Sequence, residues 1–243
     1  MADNRDSPVR RFLTGIAHGT TPFISTFILI HLSAPILANV GGSSLASSTM
    51  LLGREYYQTN FGEKALVLVP ITAHILSAWL KRVSSSEPAM EPRRWQNPLS
   101  VTGYAVGFLL FPIHYLTHRA YPAQEAAPVL GVGPSELDFE FVKLGLQTWP
   151  VRSWLIYGTL TIFTTFHLSI GVGILWSTYI RPAFPKPSLP SLKIRNRLAL
   201  GCIALPTLTG LFFVSKEPLM TFSSTAKRYT AALLTSSVYR IGF

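Results

Sequence analysis

The chain has 243 residues, 48% of them hydrophobic and only 13% charged, with a formal net charge of +10. Soluble domains carry about a quarter charged residues, so this composition excludes an ordinary soluble globular protein. The basic excess sits at the ends of long apolar runs, which points to a membrane surface and away from nucleic acid.

Charge-free apolar stretches of about eighteen residues or more read as membrane-spanning helices. Five occur, at 12–39, 64–80, 99–118, 153–180 and 198–215. They are continuously apolar, which fits helices and not the alternating strands of a barrel. The expected fold is all-α and polytopic: an N-terminal tail over 1–11, a five-helix transmembrane bundle over 12–215, and a C-terminal tail over 216–243.

The first span is too long for a signal peptide and is read as retained. The stretch 40–63 starts Gly/Ser-rich and is expected as a loop, with Tyr56, Tyr57 and Phe61 as interfacial aromatics. The segment 81–98 is a polar turn region with three prolines. In the longest connection, 119–152, the phrase ELDFEFVKLGLQTW predicts a short interfacial helix. The connection 181–197, RPAFPKPSLPSLKIR, is proline-dense and favours an extended polyproline II conformation. In the tail, Phe222, Ala226, Tyr229 and Leu233 recur at helical spacing, the pattern of an amphipathic surface helix. The single cysteine, Cys202, allows no intrachain disulfide, and no Asn-x-Ser/Thr acceptor occurs.

Five spans place the two termini on opposite sides. The N-terminal side carries twelve basic residues against Asp3, Asp6, Glu87 and Glu91, and the other side nine basic against seven acidic. By the positive-inside bias the N-terminus is cytosolic.

Within the apolar runs the only titratable chains of note are histidines: His31, His74, His114 with His118, and His167, one or more on each of the first four spans. His18 lies near the first span's start, in an interfacial position. At about 1.5 Å per residue, His31 and His114 lie about 10–12 Å short of one face. His74 and His167 lie about 12–18 Å from the other. They sort into two pairs, His31/His114 and His74/His167, with His118 as the alternative partner in the first. Two neutral imidazoles from different helices are what six-coordinate haem iron takes, so up to two b-type haems is one reading. Gly103, Gly107, Ala78 and Gly171 would leave room for a flat ring. The other reading is that each imidazole hydrogen-bonds between helices.

No phosphate-binding loop, nucleophile elbow, zinc-type cysteine pair or intramembrane carboxylate pair occurs, so no catalytic residue is assigned and the chain is not read as an enzyme. Ser33, Thr72, Ser77, Thr102, Thr161, Thr164, Thr165 and Ser169 offer polar side chains for a lipid-scrambling groove.

Two resemblances follow from these residues. One mid-membrane histidine on each of four spans, then a fifth span without one, resembles the dihaem cytochrome b anchors of succinate dehydrogenase and fumarate reductase. That resemblance implies transmembrane electron transfer. More extensively, LLGREYYQ, VPITAHILSAWLKR, GYAVGFLLFPIHYLTHR and FHLSIGVGILW look like the fungal mitochondrial adapter family known for complementing loss of an ER–mitochondria tether. This likeness runs from residue 12 to about residue 215. It implies a multi-pass protein of the mitochondrial outer membrane acting in lipid homeostasis at membrane contact sites. It also implies recruitment of a bridge-like lipid-transfer protein through a Pro-x-Pro motif, and a link to phospholipid scrambling. That motif is expected in the N-terminal tail, which here has only Pro8. The one Pro-x-Pro is Pro185-Lys186-Pro187, in the connection between spans four and five.

Overall fold

A computed structural model describes residues 7–84, 97–184 and 188–241. Among the described residues all regular structure is helical, and five helices are long and apolar enough to cross a membrane. The fold is therefore all-α and polytopic. In chain order the helices are α1 (Pro8–Gly19), α2 (Thr21–Tyr57), α3 (Gly62–Val83), α4 (Pro98–Ala120), α5 (Phe139–Thr148), α6 (Pro150–Ala183), α7 (Leu192–Lys216), α8 (Ser223–Thr235) and α9 (Ser237–Arg240). Leu29, Phe108, Leu155, Val172, Leu205 and Phe213 stand exposed along them, the outward apolar surface that lipid covers.

Proline shapes these spans in a regular way. Wide, π-type turns occur at Gly62–Leu68, Ala105–Leu110, Leu116–Ala120, Trp176–Ile180 and Leu200–Ala204. Each is followed two residues later by a proline: Pro70, Pro112, Pro122, Pro182 and Pro206. A proline inside a helix lacks the N–H and collides with the carbonyl one turn back. Widening the preceding turn relieves that collision without breaking the span at Pro70, Pro112 and Pro206, whereas α4 ends at Ala120, just before Pro122.

The chain divides into two compact units, Met1–His31 with Leu52–Val101, and Leu32–Leu51 with Thr102–Phe243. In the first, α1 begins at Pro8, capped by Ser7, whose hydroxyl accepts from the Arg10 amide at 3.3 Å. Residues 8–11, expected as tail, are thus already helical, and α1 packs along α3. The expected 40–63 loop is also largely helix. Residues Gly41 and Gly42 break α2 (Gly42 at φ +59°, ψ −157°, backbone open to glycine), and the chain continues as a second arm to Tyr57. That arm brings Gly53 back against Ile30, and Tyr57 edge-on to Phe27 at 5.2 Å.

In the second unit, the bend of α2, the end of α4, the start of α6 and the end of α7 meet α5, α8 and α9 in a compact cap. Its core is Phe141, Tyr229, Leu233, Tyr239 and Val214, each at most 1% exposed. The predicted helix in 119–152 is α5, capped by Asp138. Its residues from Phe139 to Leu146 are buried in this core. The tail helix exists as α8, with Tyr229 and Leu233 turned inward onto Phe141 and only Phe222 of the proposed stripe fully exposed. Arg228 clamps the preceding loop through the carbonyls of Val129, Leu130 and Gly131 and the carboxylate of Glu136 at 2.9 Å.

A buried ion network ties the bend to the cap. Lys143, fully buried, donates to Glu140 at 2.5 Å, to the Pro218 carbonyl at 3.0 Å and to the Ser43 hydroxyl at 3.1 Å, with Glu217 at 3.4 Å. Glu217 accepts from the Ser43 amide at 3.0 Å, which makes its carboxylate the N-cap of the second arm of α2. Glu140 in turn accepts from the Met220 amide at 2.7 Å. Across the unit, Gly210 of α7 sits against the Pro35 carbonyl of α2, where Asn39 donates to the Pro206 carbonyl and accepts from Thr209, both at 2.7 Å.

Candidate functional site

A histidine in an apolar span must satisfy two ring nitrogens. His31 and His74 belong to the first unit, His114, His118 and His167 to the second.

In the first unit, His74 Nδ1 lies 2.8 Å from the Ala17 carbonyl and 3.3 Å from the Thr20 hydroxyl. A carbonyl only accepts, so Nδ1 carries the proton and Nε2 the lone pair. Ser77, one turn on and buried, donates to the His74 carbonyl at 3.1 Å. His31 stacks on Phe27 at 5.3 Å and meets the edge of Tyr57 at 6.0 Å. Arg54, buried to 9% exposure, hydrogen-bonds the Tyr57 hydroxyl. The GREYY stretch therefore builds a wall around His31 and is no loop.

In the second unit, His167 Nδ1 faces the buried Thr102 hydroxyl at 3.3 Å. A Cβ on Gly103 would stand 3.0 Å from the His167 ring. The room Gly103 leaves is thus filled by the imidazole itself, whereas Gly171 opens onto free space. His114 and His118 lie with ring centroids 4.5 Å apart. His118 Nε2 meets the Tyr157 hydroxyl at 3.1 Å and its ring abuts Phe141. Tyr157 also bonds Tyr239, and Ser153, 3.1 Å from the Tyr239 hydroxyl, donates to the Gly145 carbonyl at 2.8 Å. This buried chain of hydroxyls engages His118 and distinguishes it from His114 as a ligand candidate.

The hydroxyls suggested as groove lining are mostly turned inward. Ser77, Thr102, Thr161, Thr165 and Ser169 are buried, Thr165 donating to the Thr161 carbonyl at 2.7 Å and Ser169 to Asn196 at 2.7 Å. Ser153, Tyr157, Thr161, Thr165, Ser169 and Gly173 recur every fourth residue along α6, and sequence reading passed over them as one stripe. Their spacing was the signal that the face of α6 lined by small polar groups is its packing face. Pro185 and Pro187 lie outside the described residues. Among the described residues no cluster of three or more His, Cys, Asp or Glu forms a metal site.

The donor chemistry at His74 suits haem ligation, and His167 suits it where Nδ1 donates to the Thr102 hydroxyl. A ligating histidine characteristically offers Nε2 while Nδ1–H is held by a carbonyl or other acceptor. Haem held by such a ring would supply one-electron chemistry, with the Ala17 carbonyl orienting His74 in the first unit and the Thr102 hydroxyl facing His167 in the second.

No protein-family model, no curated protein and no solved structure matches this chain.

Proposed function

We propose that this protein is an integral adapter of the mitochondrial outer membrane in lipid homeostasis, a receptor for a bridge-like lipid-transfer protein and a participant in phospholipid scrambling, with its N-terminus in the cytosol. The observation that carries the reading is the Gly53–Tyr57 stretch, the most distinctive piece of the resemblance. It is a packed arm with a buried Arg54 and a Tyr57 fitted to Phe27 and His31. The twelve-to-four basic excess on the N-terminal side supports the orientation. The docking element is Pro185-Lys186-Pro187, the chain's one Pro-x-Pro, a sequence type that loses little entropy on binding. The test is fractionation with protease protection of a tagged full chain, and co-isolation of the lipid-transfer protein with wild type and with Pro185→Ala/Pro187→Ala. Outer-membrane residence and loss of the partner only in the variant are expected. Residence elsewhere, or undiminished capture by the variant, overturns it.

The Nδ1 anchoring of His74 and His167 favours a second reading, a b-type haemoprotein moving electrons across the membrane, with His31, His74, His114 and His167 as the ligand set. Absorption spectra of purified protein expressed with haem supplied decide it. A reduced-state α-band diminished in His74→Ala/His167→Ala upholds this reading, and a featureless spectrum from folded protein ends it.

A further inference from the structure

Arg195 stands in the first turn of α7 and lays its guanidinium over the backbone of Gly173 on α6. Any Cβ there would collide with it. The Ser169 hydroxyl, donating to Asn196 at 2.7 Å, fixes the two helices in this register. Arg195 Nε is fully buried and has no hydrogen-bond acceptor among the described residues. Three residues beyond Gly173, on the same face of α6, Trp176 buries its indole Nε1, also without an acceptor among the described residues. Two N–H donors, one of them on a cationic group, are thus turned inward without an acceptor among the described residues.

The chain offers no counter-charge nearby in sequence. From Phe141 to Lys216, covering all of α6 and α7, there is no Asp or Glu. A buried N–H left without an acceptor is destabilising. That cost falls if a ligand brings the missing acceptors. That ligand must be anionic, rich in acceptor oxygens, and present where Trp176 and Tyr179 mark the membrane interface. A phosphate group fits: guanidinium pairs with it in a two-point, charge-assisted geometry, and the third oxygen can take the indole N–H.

We propose that the cluster of Arg195, Gly173 and Trp176 binds the phosphate of a membrane phospholipid. Inorganic phosphate shares that chemistry, and a lipid is favoured because the cluster lies among apolar side chains, with Val172, Ile174 and Tyr179 exposed beside it. The inference rests on these residues alone and needs neither the adapter nor the haem reading.

Native mass spectrometry of the full, detergent-purified chain titrated with phosphatidylglycerol tests it. Wild type should hold one lipid, and Arg195→Gln should lower the apparent affinity about tenfold or more, the worth of a charge-assisted bond. Gly173→Ala keeps every charge but pushes the flexible guanidinium off its seat, so it should lose lipid as Arg195→Gln does. Trp176→Phe should weaken it by less. Displacement of the lipid by millimolar inorganic phosphate would identify a soluble anion as the occupant of the same site, and resistance to it a lipid. Lipid retention equal to wild type in Arg195→Gln and Gly173→Ala, each monodisperse on gel filtration, overturns the proposal.

Discussion

Replacing Lys143 with methionine removes the cation at the centre of the cap and keeps nearly the same volume. Lys143 is 0% exposed, and its ammonium makes three hydrogen bonds, one of them to Glu140, and lies 3.4 Å from Glu217. Removing one partner of a buried ion pair costs about 3–5 kcal/mol, because the other charge stays behind uncompensated. Here the lower end applies. Glu217 has its side chain 32% exposed and keeps its bonds to Ser43, so water and the arm N-terminus stabilise it. Glu140, at 11%, retains only the Met220 amide. A loss of about 3 kcal/mol in a chain of this size lowers the melting temperature by about 6–12 °C. The assay is thermal unfolding in detergent followed by tryptophan fluorescence, to which Trp149, buried against Tyr239, reports from the cap. Adding Glu140→Gln to Lys143→Met removes the stranded charge, so the double variant should melt above the single one. A drop of less than about 2 °C, or a double variant no better than the single, would refute the claim that an unpaired buried carboxylate governs cap stability.

Gly210→Ala should abolish a monodisperse product on size-exclusion chromatography, since its Cβ would run into the Pro35 carbonyl, and neither backbone can yield without separating α2 from α7. Gly42→Ala meets both a left-handed φ of +59° and the Glu217 carboxylate. It should cost about 1–3 kcal/mol and open the second arm to limited proteolysis faster than wild type. Acid should also loosen the cap. Burial alone would raise the Glu217 pKa, but the Ser43 hydroxyl and amide, with Lys143, hold it below its ordinary value, and Arg228 with the Gly133 amide does the same for Glu136. Groups whose folded pKa is depressed stabilise above the unfolded value, about 4.3 for Glu, and lose that contribution as pH falls through the folded value. Asp138, raised by burial, works in the opposite direction. With two lowered against one raised, the cap's melting temperature should hold from pH 7 to about 5 and fall below that. A flat profile down to pH 3 would contradict the assignment.

The spans were legible because their signal is composition summed over some twenty residues, and lipid rewards exactly that sum. The second arm of α2 was not. SSLASSTMLLGREYY carries four serines and follows Gly41-Gly42, which reads as a loop, and it is helical because Glu217, far away in sequence, caps its first amide. Likewise α8 was visible as an amphipathic helix, but periodicity cannot say whether an apolar stripe meets lipid or a protein core. Phe141, supplied by α5, decides for the core. The ion network was hidden for a related reason. Glu140 and Lys143 are an ordinary i,i+3 pair on paper, and only the return of the chain at Glu217–Met220 seals them from water.

The histidines show the same division between what spacing states and what packing adds. Spacing found one or more on each of four spans, and it could not say which ring nitrogen each would commit. Packing commits Nδ1 of His74 to a backbone carbonyl, an acceptor no substitution at position 17 can remove, whereas Nδ1 of His167 faces a single hydroxyl. The two sites therefore differ in how firmly they fix a tautomer. Thr102→Val, nearly isosteric, deletes the hydroxyl facing His167 and leaves the His74 anchor untouched. If the His74/His167 pair ligates a haem, that one change should perturb the spectrum of that centre and spare the one at His31/His114. If the rings serve only to join helices, it should lower stability by about 1 kcal/mol with no spectroscopic consequence, so a single variant separates an oriented ligand from an interhelical tie.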